Sequence, residues 1–309
     1  MDKTAVLIPC YNEATSIASV IKDFKKVLPE AVIYVYDNNS TDGTADIAKE
    51  AGAEVRFERL QGKGNVIRRM FREVDAEVYV MVDGDNTYGA ESAPEMVRLI
   101  KEGADMVVGD RLSSTYYTEN KRPFHNAGNS FMCKAVNTLF GSKIPDMLTG
   151  FRAFSYEFVK TFPIISKGFD IETEMTIHAI DKNLRVEGVV VDYRDREGSE
   201  SKLNTVSDGI KVIGRMLKLY KTYKPMGFFS IIAGVLFVVA MCFFIPILVE
   251  YFRTGLVLKF PTLIVCGFMT LAAIISVFTG TLLANINTKN RQDFELNFIK
   301  AHDRFNDLK

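Results

Sequence analysis

The stretch Met81-Val82-Asp83-Gly84-Asp85 ends an apolar segment with two carboxylates one residue apart. Residues 78–82 have the composition of a buried β-strand, so both acids lie where that strand ends. At a frayed strand end, two acids with this spacing can converge on one divalent cation. An isolated Asp-Gly-Asp is more often a solvated turn, so the rest of the sequence decides between the two interpretations.

The first hundred residues alternate short apolar segments with amphipathic ones, which predicts a parallel sheet covered by helices. In open sheets of this kind, ligands bind at the carboxyl ends of the strands, so the polar residues that follow the strands form the candidate site. Strands are predicted at residues 4–9, 31–36, 54–58, 78–82, 106–109, 147–154 and 186–196, and helices at 14–27, 43–51, 64–74, 93–102 and 172–182.

The hydrophobic residues, 48% of the chain, are concentrated near its C-terminus. Residues 226–249 and 260–288 contain no charged residue, and each stretch exceeds the roughly 20 residues that cross a bilayer. We predict two transmembrane helices there, joined by an external loop at 250–259. Basic residues dominate just before the first stretch and follow the second, which predicts that the N-terminal region and the tail at 289–309 are cytoplasmic.

Residues 206–225 precede the first apolar stretch and carry lysines and an arginine with no acid after Asp208. At helical spacing these cations fall on one side and apolar side chains on the other. The segment is therefore predicted to be an amphipathic helix at the membrane surface, in contact with anionic lipids.

Charge and cysteine content narrow the function classes. Lys plus Arg equals Asp plus Glu at 38 each, so the overall charge favours no nucleic acid as partner. The four cysteines are far apart, and they indicate neither a disulfide framework nor a zinc site. The N-terminus lacks the long apolar core of a signal peptide.

Polar motifs follow the first three predicted strands. Pro9-Cys10-Tyr11-Asn12-Glu13 and Asp37-Asn38-Asn39-Ser40 offer carboxylates, amides and an aromatic ring, which suit a nucleobase and ribose. Gln61-Gly62-Lys63-Gly64 opens a helix, where backbone N–H groups and a lysine can approach a phosphate. Together with Asp83 and Asp85, these motifs indicate a nucleoside diphosphate bound with a divalent ion.

Six motifs, taken in their order along the chain, resemble glycosyltransferase family 2. They are Val-Leu-Ile-Pro-Cys-Tyr-Asn-Glu, Asp-Asn-Asn-Ser-Thr-Asp-Gly-Thr, Gly-Lys-Gly, Asp-Gly-Asp, Val-Val-Gly-Asp-Arg and Leu-Thr-Gly-Phe-Arg. Within that family the chain looks like the polyprenyl-phosphate enzymes of the dolichol-phosphate mannose synthase type, in their bacterial membrane-anchored branch. The resemblance implies an α/β GT-A fold, Rossmann-like with a mostly parallel sheet, over residues 1–205. It also implies a nucleotide-sugar donor, Mg2+ or Mn2+ as cofactor, and inversion at the anomeric carbon.

The resemblance assigns roles to individual residues. Asp83 and Asp85 would bind the metal, and Asp146 and Asp85 would be catalytic. A phosphate acceptor has its second pKa near about 6 and hardly needs a base, so the alternative is that Asp146 orients the acceptor or balances a nearby arginine, Arg152. Residues expected to bind the nucleotide-sugar are Pro9, Tyr11, Asn12, Glu13, Asp37, Asn39, Lys63, Asp83 and Gly84; those expected at the acceptor phosphate are Arg111, Arg122, Arg152, Arg194, Arg196, Ser201 and Lys202.

Two glutamates, Glu172 and Glu174, begin a predicted helix. Acids in a first helical turn stabilise the helix dipole, and we weigh this structural role at least equally with a catalytic one.

We therefore expect transfer of a single sugar to a polyprenyl phosphate, undecaprenyl phosphate in bacteria, at the cytoplasmic face of the plasma (inner) membrane. The product would be a lipid-linked sugar for the cell envelope. A UDP-hexose such as UDP-glucose or UDP-N-acetylglucosamine is preferred over GDP-mannose as donor. Membrane lipids are expected partners, as is a second copy of the chain in a dimer or tetramer.

Two alternatives stay open. A processive polysaccharide synthase shares the fold, but in the family it has more spans and a Gln-x-x-Arg-Trp motif, and this chain has no tryptophan. A catalytically silent membrane scaffold is the other alternative, and the intact pair Asp83 and Asp85 argues against it.

Overall fold

The computed structural model describes residues 1–113, 133–134, 136–138, 140–142, 144–166, 168, 171–194, 214 and 217–308. Its contacts divide the chain into two units, one of Met1–Gly209 with Phe294–Lys309 and one of Ile210–Asp293. The strands of the first unit are β1 (Asp2–Cys10), β2 (Val32–Asp37), β3 (Glu54–Phe57), β4 (Ala76–Met81), β5 (Met106–Asp110), β6 (Arg152–Ser155) and β7 (Val186–Val190). Its helices include α1 (Ile17–Val27), α2 (Thr44–Glu50), α3 (Lys63–Glu73), α4 (Ala93–Lys101), α5 (Tyr156–Thr161) and α6 (Ile171–Asp181).

The seven strands form one sheet in the order β3-β2-β1-β4-β6-β5-β7. Only β6 is antiparallel to its neighbours, β4 and β5, among the strand pairs that the structure describes. The predicted mostly parallel α/β sheet is confirmed. From β1 the chain proceeds outward to β2 and β3 and then returns to place β4 on the other side of β1. A crevice opens at such a reversal, beyond the carboxyl ends of the strands.

Side chains along the central strands alternate between two cores because successive residues of a strand point to opposite faces. Val6 and Val80 pack with α1 and α4 on one face, and Leu7 and Met81 pack with α3, α5 and α6 on the other. Both faces are buried, so β1 and β4 read as continuous apolar runs. This burial fixes the end of β4 and with it the position of Asp83.

Two predicted strands are shorter than expected. Residues 147–151 are not part of β6, which begins at Arg152, and β7 ends at Val190. In the first case the backbone at Gly150 donates to the Tyr88 hydroxyl (3.1 Å) instead of pairing with a strand. The loop before β6 therefore lies along the carboxyl edge of the sheet.

The last residues of the chain belong to the same unit as the sheet. Phe305 stacks on Tyr156 of α5 with ring centroids 5.3 Å apart, and His302 Nδ1 lies 2.7 Å from Glu157 Oε1. The segment predicted as a tail at 289–309 is helical to Leu308. Residues 294–308 thus complete the packing of α5.

His178 of α6 is buried in a cage of aromatic rings. Its ring lies 5.9, 5.0 and 5.2 Å from the ring centroids of Phe158, Phe162 and Phe294. No described residue forms a hydrogen bond with its Nε2. Burial, reinforced by the charge of Lys182 and opposed by Asp181, lowers the pKa of His178 to about 4.

Acid should therefore destabilise this unit through His178. The unfolded chain takes up the proton below about pH 6.5 and the folded chain only near pH 4, so stability is lost as the pH falls between these values. We expect His178→Leu to be more resistant than the parent chain, with a relative gain of roughly 2 kcal/mol on lowering the pH from about 8 to about 5. Thermal unfolding of the detergent-solubilised chain at both pH values measures this; an equal pH effect in both proteins would contradict it.

The second unit contains two long apolar helices, α7 (Pro225–Thr254) and α8 (Phe260–Leu308), and the last turns of α8 belong to the first unit. Both are long and apolar enough to cross a membrane. Helix α7 continues through part of the predicted loop at 250–259, so only 255–259 separate the two helices. Of the predicted amphipathic helix at 206–225, residues 217–223 are helical, and 206–213, 215 and 216 lie outside the described residues.

Candidate active site

Hydrogen bonds from backbone N–H groups to side chains join the loops after β1 and β2. Asn12 N donates to Ser40 Oγ (2.9 Å), and Thr41 N donates back to Asn12 Oδ1 (2.9 Å). Glu13 N donates to Thr44 Oγ1 (2.9 Å). Asn12 has a φ of 55°, a left-handed conformation that asparagine tolerates better than most residues. The structure therefore joins the two motifs predicted to hold a base and ribose.

Asp37 ends β2 inside this joint and is 4% exposed. Its Oδ2 accepts the Ser40 N–H (3.2 Å), whereas Oδ1 is buried and no described residue donates to it. A buried carboxylate oxygen without a donor is costly, so each such group calls for an explanation. A ligand N–H or O–H at this oxygen would supply the missing donor.

Asn38 was not predicted as a site residue, yet it connects three segments. Its Nδ2 donates to the carbonyls of Glu58 (2.7 Å) and Leu60 (2.9 Å), and its Oδ1 accepts the Gly62 N–H (2.7 Å). These bonds fix the entry to α3 and hence the position of Lys63. Its place beside Asp37 in the motif was the only signal in the sequence, because the partners of its amide follow a different strand.

The remaining predicted residues of the first two loops line the same edge. Tyr11 is 52% exposed, so its ring is open to a ligand. Pro9 is partly buried near the end of β1, and Glu13 accepts the Ser16 hydroxyl (3.4 Å). Asn39 Nδ2 donates to the Arg59 carbonyl (3.1 Å), which ties it to the loop after β3.

Lys63 lies at the start of α3 and contacts two carboxylates. Its Nζ is 2.5 Å from Asp83 Oδ1 and 2.6 Å from Glu172 Oε1. Burial alone would lower the pKa of Lys63, but the charges of Asp83 and Glu172 outweigh it and raise that pKa. Glu172, for which a dipole role was weighed, is thus also part of the candidate site.

The Asp83-Gly84-Asp85 turn is closely packed against its neighbours. A methyl group added at Gly150 would overlap the Asp83 carboxylate, and one added at Gly84 would lie 2.8 Å from Cys10 Sγ. Asp85 Oδ1 accepts the Thr87 hydroxyl (2.7 Å) and the Thr87 N–H (3.3 Å). The backbone and Thr87 therefore hold the turn in one shape.

The two aspartates fit a divalent cation that a ligand helps to bind. Among the described residues, no three His, Cys, Asp or Glu side chains come close enough to hold a metal by themselves. Asp83 and Asp85 are hard oxygen donors, and Mg2+ commonly takes one or two carboxylates with substrate phosphates and water. The phosphate oxygens of a bound diphosphate would supply further ligands to the cation, beside those of Asp83 and Asp85.

Asp146 forms a buried, bidentate ion pair with Arg111. Arg111 Nε lies 2.7 Å from Asp146 Oδ2 and its second nitrogen 3.1 Å from Oδ1; Asp146 is fully buried and Arg111 is 8% exposed. The guanidinium also lies over the ring of Tyr193, 5.5 Å from its centroid. The sequence suggested Arg152 as the arginine that Asp146 balances, but the structure pairs Asp146 directly with Arg111.

A chain of contacts leads from this pair to the metal edge. Tyr193 packs edge-on against Tyr88 at 5.7 Å, and the Tyr88 hydroxyl accepts the N–H of Gly150, which lies against Asp83. Beside it, the exposed residue Arg194 donates its backbone N–H to the Thr87 carbonyl (2.8 Å). These contacts connect two of the residues predicted at the acceptor phosphate, Arg111 and Arg194, with the turn that carries the aspartates.

Arg152 lies in the core and does not reach the candidate acceptor site. It is fully buried, and its guanidinium donates to the carbonyls of Thr149 (3.0 Å) and Met147 (2.8 Å) and to Thr176 Oγ1 (2.8 Å). Burial lowers its pKa to about 10. We therefore correct its predicted role: Arg152 holds the loop before β6 against α6. Arg122, Arg196, Ser201 and Lys202 lie outside the described residues.

The chain is similar in sequence to a known protein family and to several known proteins. Residues 5–162 match the family model described as Glycosyl transferase family 2. Glycosyltransferase AglJ of Haloferax volcanii is 34% identical over 231 residues, which cover 74% of this chain and 76% of AglJ. Dolichyl-phosphate hexose transferase of the same organism is 29% identical over 218 residues, 71% of this chain and 94% of that protein.

A solved structure shares the fold. Glucosyl-3-phosphoglycerate synthase from Mycobacterium tuberculosis, in complex with Mn2+, UDP and glucosyl-3-phosphoglycerate, has a TM-score of 0.53 at 20% identity, covering 71% of this chain and 79% of that chain. The predicted GT-A fold is confirmed.

Proposed function

Because this chain belongs to glycosyl transferase family 2, we propose that it transfers one sugar, with inversion, from a nucleotide-sugar to a polyprenyl phosphate. The observation that carries the proposal is the convergence of Asp37, Lys63, Asp83 and Asp85 at one edge of the sheet. At one end of this edge lies the buried Asp37 Oδ1, to which no described residue donates and which could accept a hydrogen bond from a base. Two carboxylates for a metal–diphosphate lie at the other end. The similarity to dolichyl-phosphate hexose transferase supports the choice of a lipid phosphate as acceptor.

Asp37 supports UDP over GDP as the nucleotide. One of its oxygens already accepts the Ser40 N–H, which leaves one buried oxygen for a ligand donor. Uracil presents a single ring N–H, whereas guanine presents a ring N–H and an amino group side by side. A UDP-hexose matches one open acceptor more closely than GDP-mannose does.

The residues at the end of β4 suit departure of the nucleoside diphosphate. When bound to Asp83 and Asp85, Mg2+ or Mn2+ would neutralise charge that develops on the leaving group. Lys63 adds a further cation beside Asp83. Gly150 lies against the Asp83 carboxylate and donates its N–H to the Tyr88 hydroxyl, so Asp83 is held in place. Little reorganisation of this carboxylate is therefore needed during the reaction.

The acceptor side is proposed to be basic. Arg194 is exposed next to Thr87, and Arg122, Arg196, Ser201 and Lys202 remain predicted phosphate ligands. Helices α7 and α8 support anchoring in a membrane. We propose that this is the plasma (inner) membrane, with both termini cytoplasmic, where the chain would reach an undecaprenyl phosphate acceptor. The dimer or tetramer also remains a prediction.

The decisive experiment offers membranes containing the chain a panel of radiolabelled UDP- and GDP-sugars, with undecaprenyl phosphate and Mn2+ or Mg2+. We expect one UDP-hexose to give a single-sugar, organic-soluble product that disappears with EDTA. Labelled polymer would instead indicate a processive synthase. No lipid product from any donor, with the chain inserted and folded, would favour the silent scaffold.

Gly150→Ala should lower this transfer by about a hundredfold, because displacing a reacting group's partner by about 1 Å can have an effect of this size. The added methyl group would displace the Asp83 carboxylate, which lies against Gly150. Initial rates at saturating donor measure the effect. Gly168→Ala is the matched control, since a methyl group there meets no atom of the described residues within 4 Å. Equal rates in the two variants would contradict the prediction.

A further inference from the structure

Lys63 connects two carboxylates that come from distant parts of the chain. Asp83 follows β4, and Glu172 lies in the first turn of α6. The side chains of Lys63 and Glu172 are 9% and 6% exposed, whereas that of Asp83 is 27% exposed. Lys63 and Glu172 therefore form the buried side of this cluster, and Asp83 forms its open side.

The ammonium of Lys63 already compensates the charge of Asp83 in the ligand-free chain. A divalent cation that approaches Asp83 meets a positive charge held 2.5 Å from one carboxylate oxygen, and in a partly buried site like charges repel strongly. A nucleoside diphosphate brings several negative charges, which attract the cation and Lys63 alike. The cation should therefore bind far better when the nucleotide is present.

Glu172 gives Lys63 a second anion, so the ammonium keeps this counter-charge when Asp83 binds a cation. The glutamate itself is firmly placed. Thr176 Oγ1 donates to the Glu172 carbonyl (2.9 Å) and accepts from buried Arg152 (2.8 Å). On the same helix, Glu174 accepts the N–H groups of the loop at 165–166.

On the basis of the proposed function, we propose that Glu172 is a positioning residue for Lys63, and that the Lys63 ammonium balances Asp83 until a nucleoside diphosphate brings the divalent cation. Metal binding is thereby coupled to nucleotide binding. Without the Lys63 ammonium, the Asp83 and Glu172 carboxylates that contact it would lie close together and attract a cation in the absence of nucleotide. Lys63 is the residue that prevents this.

The test is a titration of Mn2+ by electron paramagnetic resonance on the full chain in detergent, alone and with UDP or GDP. For the parent chain we expect at least about tenfold tighter Mn2+ binding with one nucleotide, and the same factor for the nucleotide in the presence of Mn2+. Lys63→Met should bind Mn2+ about tenfold more tightly without nucleotide, and the nucleotide should strengthen its Mn2+ binding by a smaller factor than in the parent chain. Glu172→Gln should weaken Mn2+ binding with and without nucleotide, because Lys63 loses the charge of Glu172 and is drawn more strongly to Asp83.

Two control variants are matched to these changes. Lys49→Met removes an exposed lysine, and Glu174→Gln changes a glutamate on α6 that contacts the loop at 165–166; both should titrate like the parent chain. A purely structural role would shift Lys63→Met and Glu172→Gln in the same direction, and that result would overturn the proposal. Equal Mn2+ affinity with and without both nucleotides would overturn it too. Because this readout needs no sugar transfer, loss of transfer activity with the Mn2+ pattern intact would refute the proposed function alone.

Discussion

Asp85→Asn is expected to lower kcat/KM for sugar transfer about a thousandfold, close to about 4 kcal/mol of transition-state stabilisation. Asparagine keeps the shape of the side chain, and its Oδ1 can still accept the two Thr87 donors that hold the turn. What it loses is the negative charge that would bind a divalent cation beside the leaving diphosphate. Transfer rates over a range of donor and Mn2+ concentrations measure the effect.

The control for this substitution is Asp46→Asn, which changes an exposed aspartate in the first turn of α2. It should leave the transfer rate unchanged. Circular dichroism should give the same melting temperature for Asp85→Asn and the parent chain, because the Thr87 hydrogen bonds persist. A rate within about threefold of the parent chain would remove Asp85 from the metal site.

The positions of the strand ends could be predicted because they depend on local patterns. Continuous apolar runs specify strands buried on both faces, and the polar residues after them must lie at the carboxyl edge. Asp37 and Asp83 were found in this way. The exact start of β6 was missed because the apolar run before Arg152 also fits a strand, while the Tyr88 hydroxyl that accepts the Gly150 N–H lies 62 residues away.

The partners of charged side chains could not be predicted from the sequence. Lys63 meets Glu172, and Arg111 meets Asp146, only because the sheet order places α3 beside α6 and the end of β5 beside the loop before β6. Arg152 was misassigned although a signal existed. An arginine within a strand expected to be buried has to find its partners inside the core, and it does so in backbone carbonyls.

Asp146→Asn should lower the stability of the unit that contains the sheet by about 3–5 kcal/mol, because it removes the carboxylate charge that pairs with the buried Arg111 guanidinium. Asp146 is fully buried and bidentate to Arg111. A loss of this size lowers the melting temperature by about 2–4 °C for each kcal/mol in a unit of this size. Thermal unfolding followed by circular dichroism measures it.

The double substitution separates an ion-pair role from a role as base. If the pair is mainly structural, Asp146→Asn with Arg111→Met should destabilise the chain by less than the sum of the two single substitutions, since neither charge is left alone. Transfer by Asp146→Asn, measured well below its melting temperature, should then retain part of the parent kcat, because a phosphate acceptor is already largely ionised near neutral pH. An unchanged melting temperature together with abolished kcat would instead identify Asp146 as the base. The structure favours the first outcome because the Asp146 carboxylate is enclosed by Arg111 and the Leu148 N–H, 3.0 Å from Oδ1.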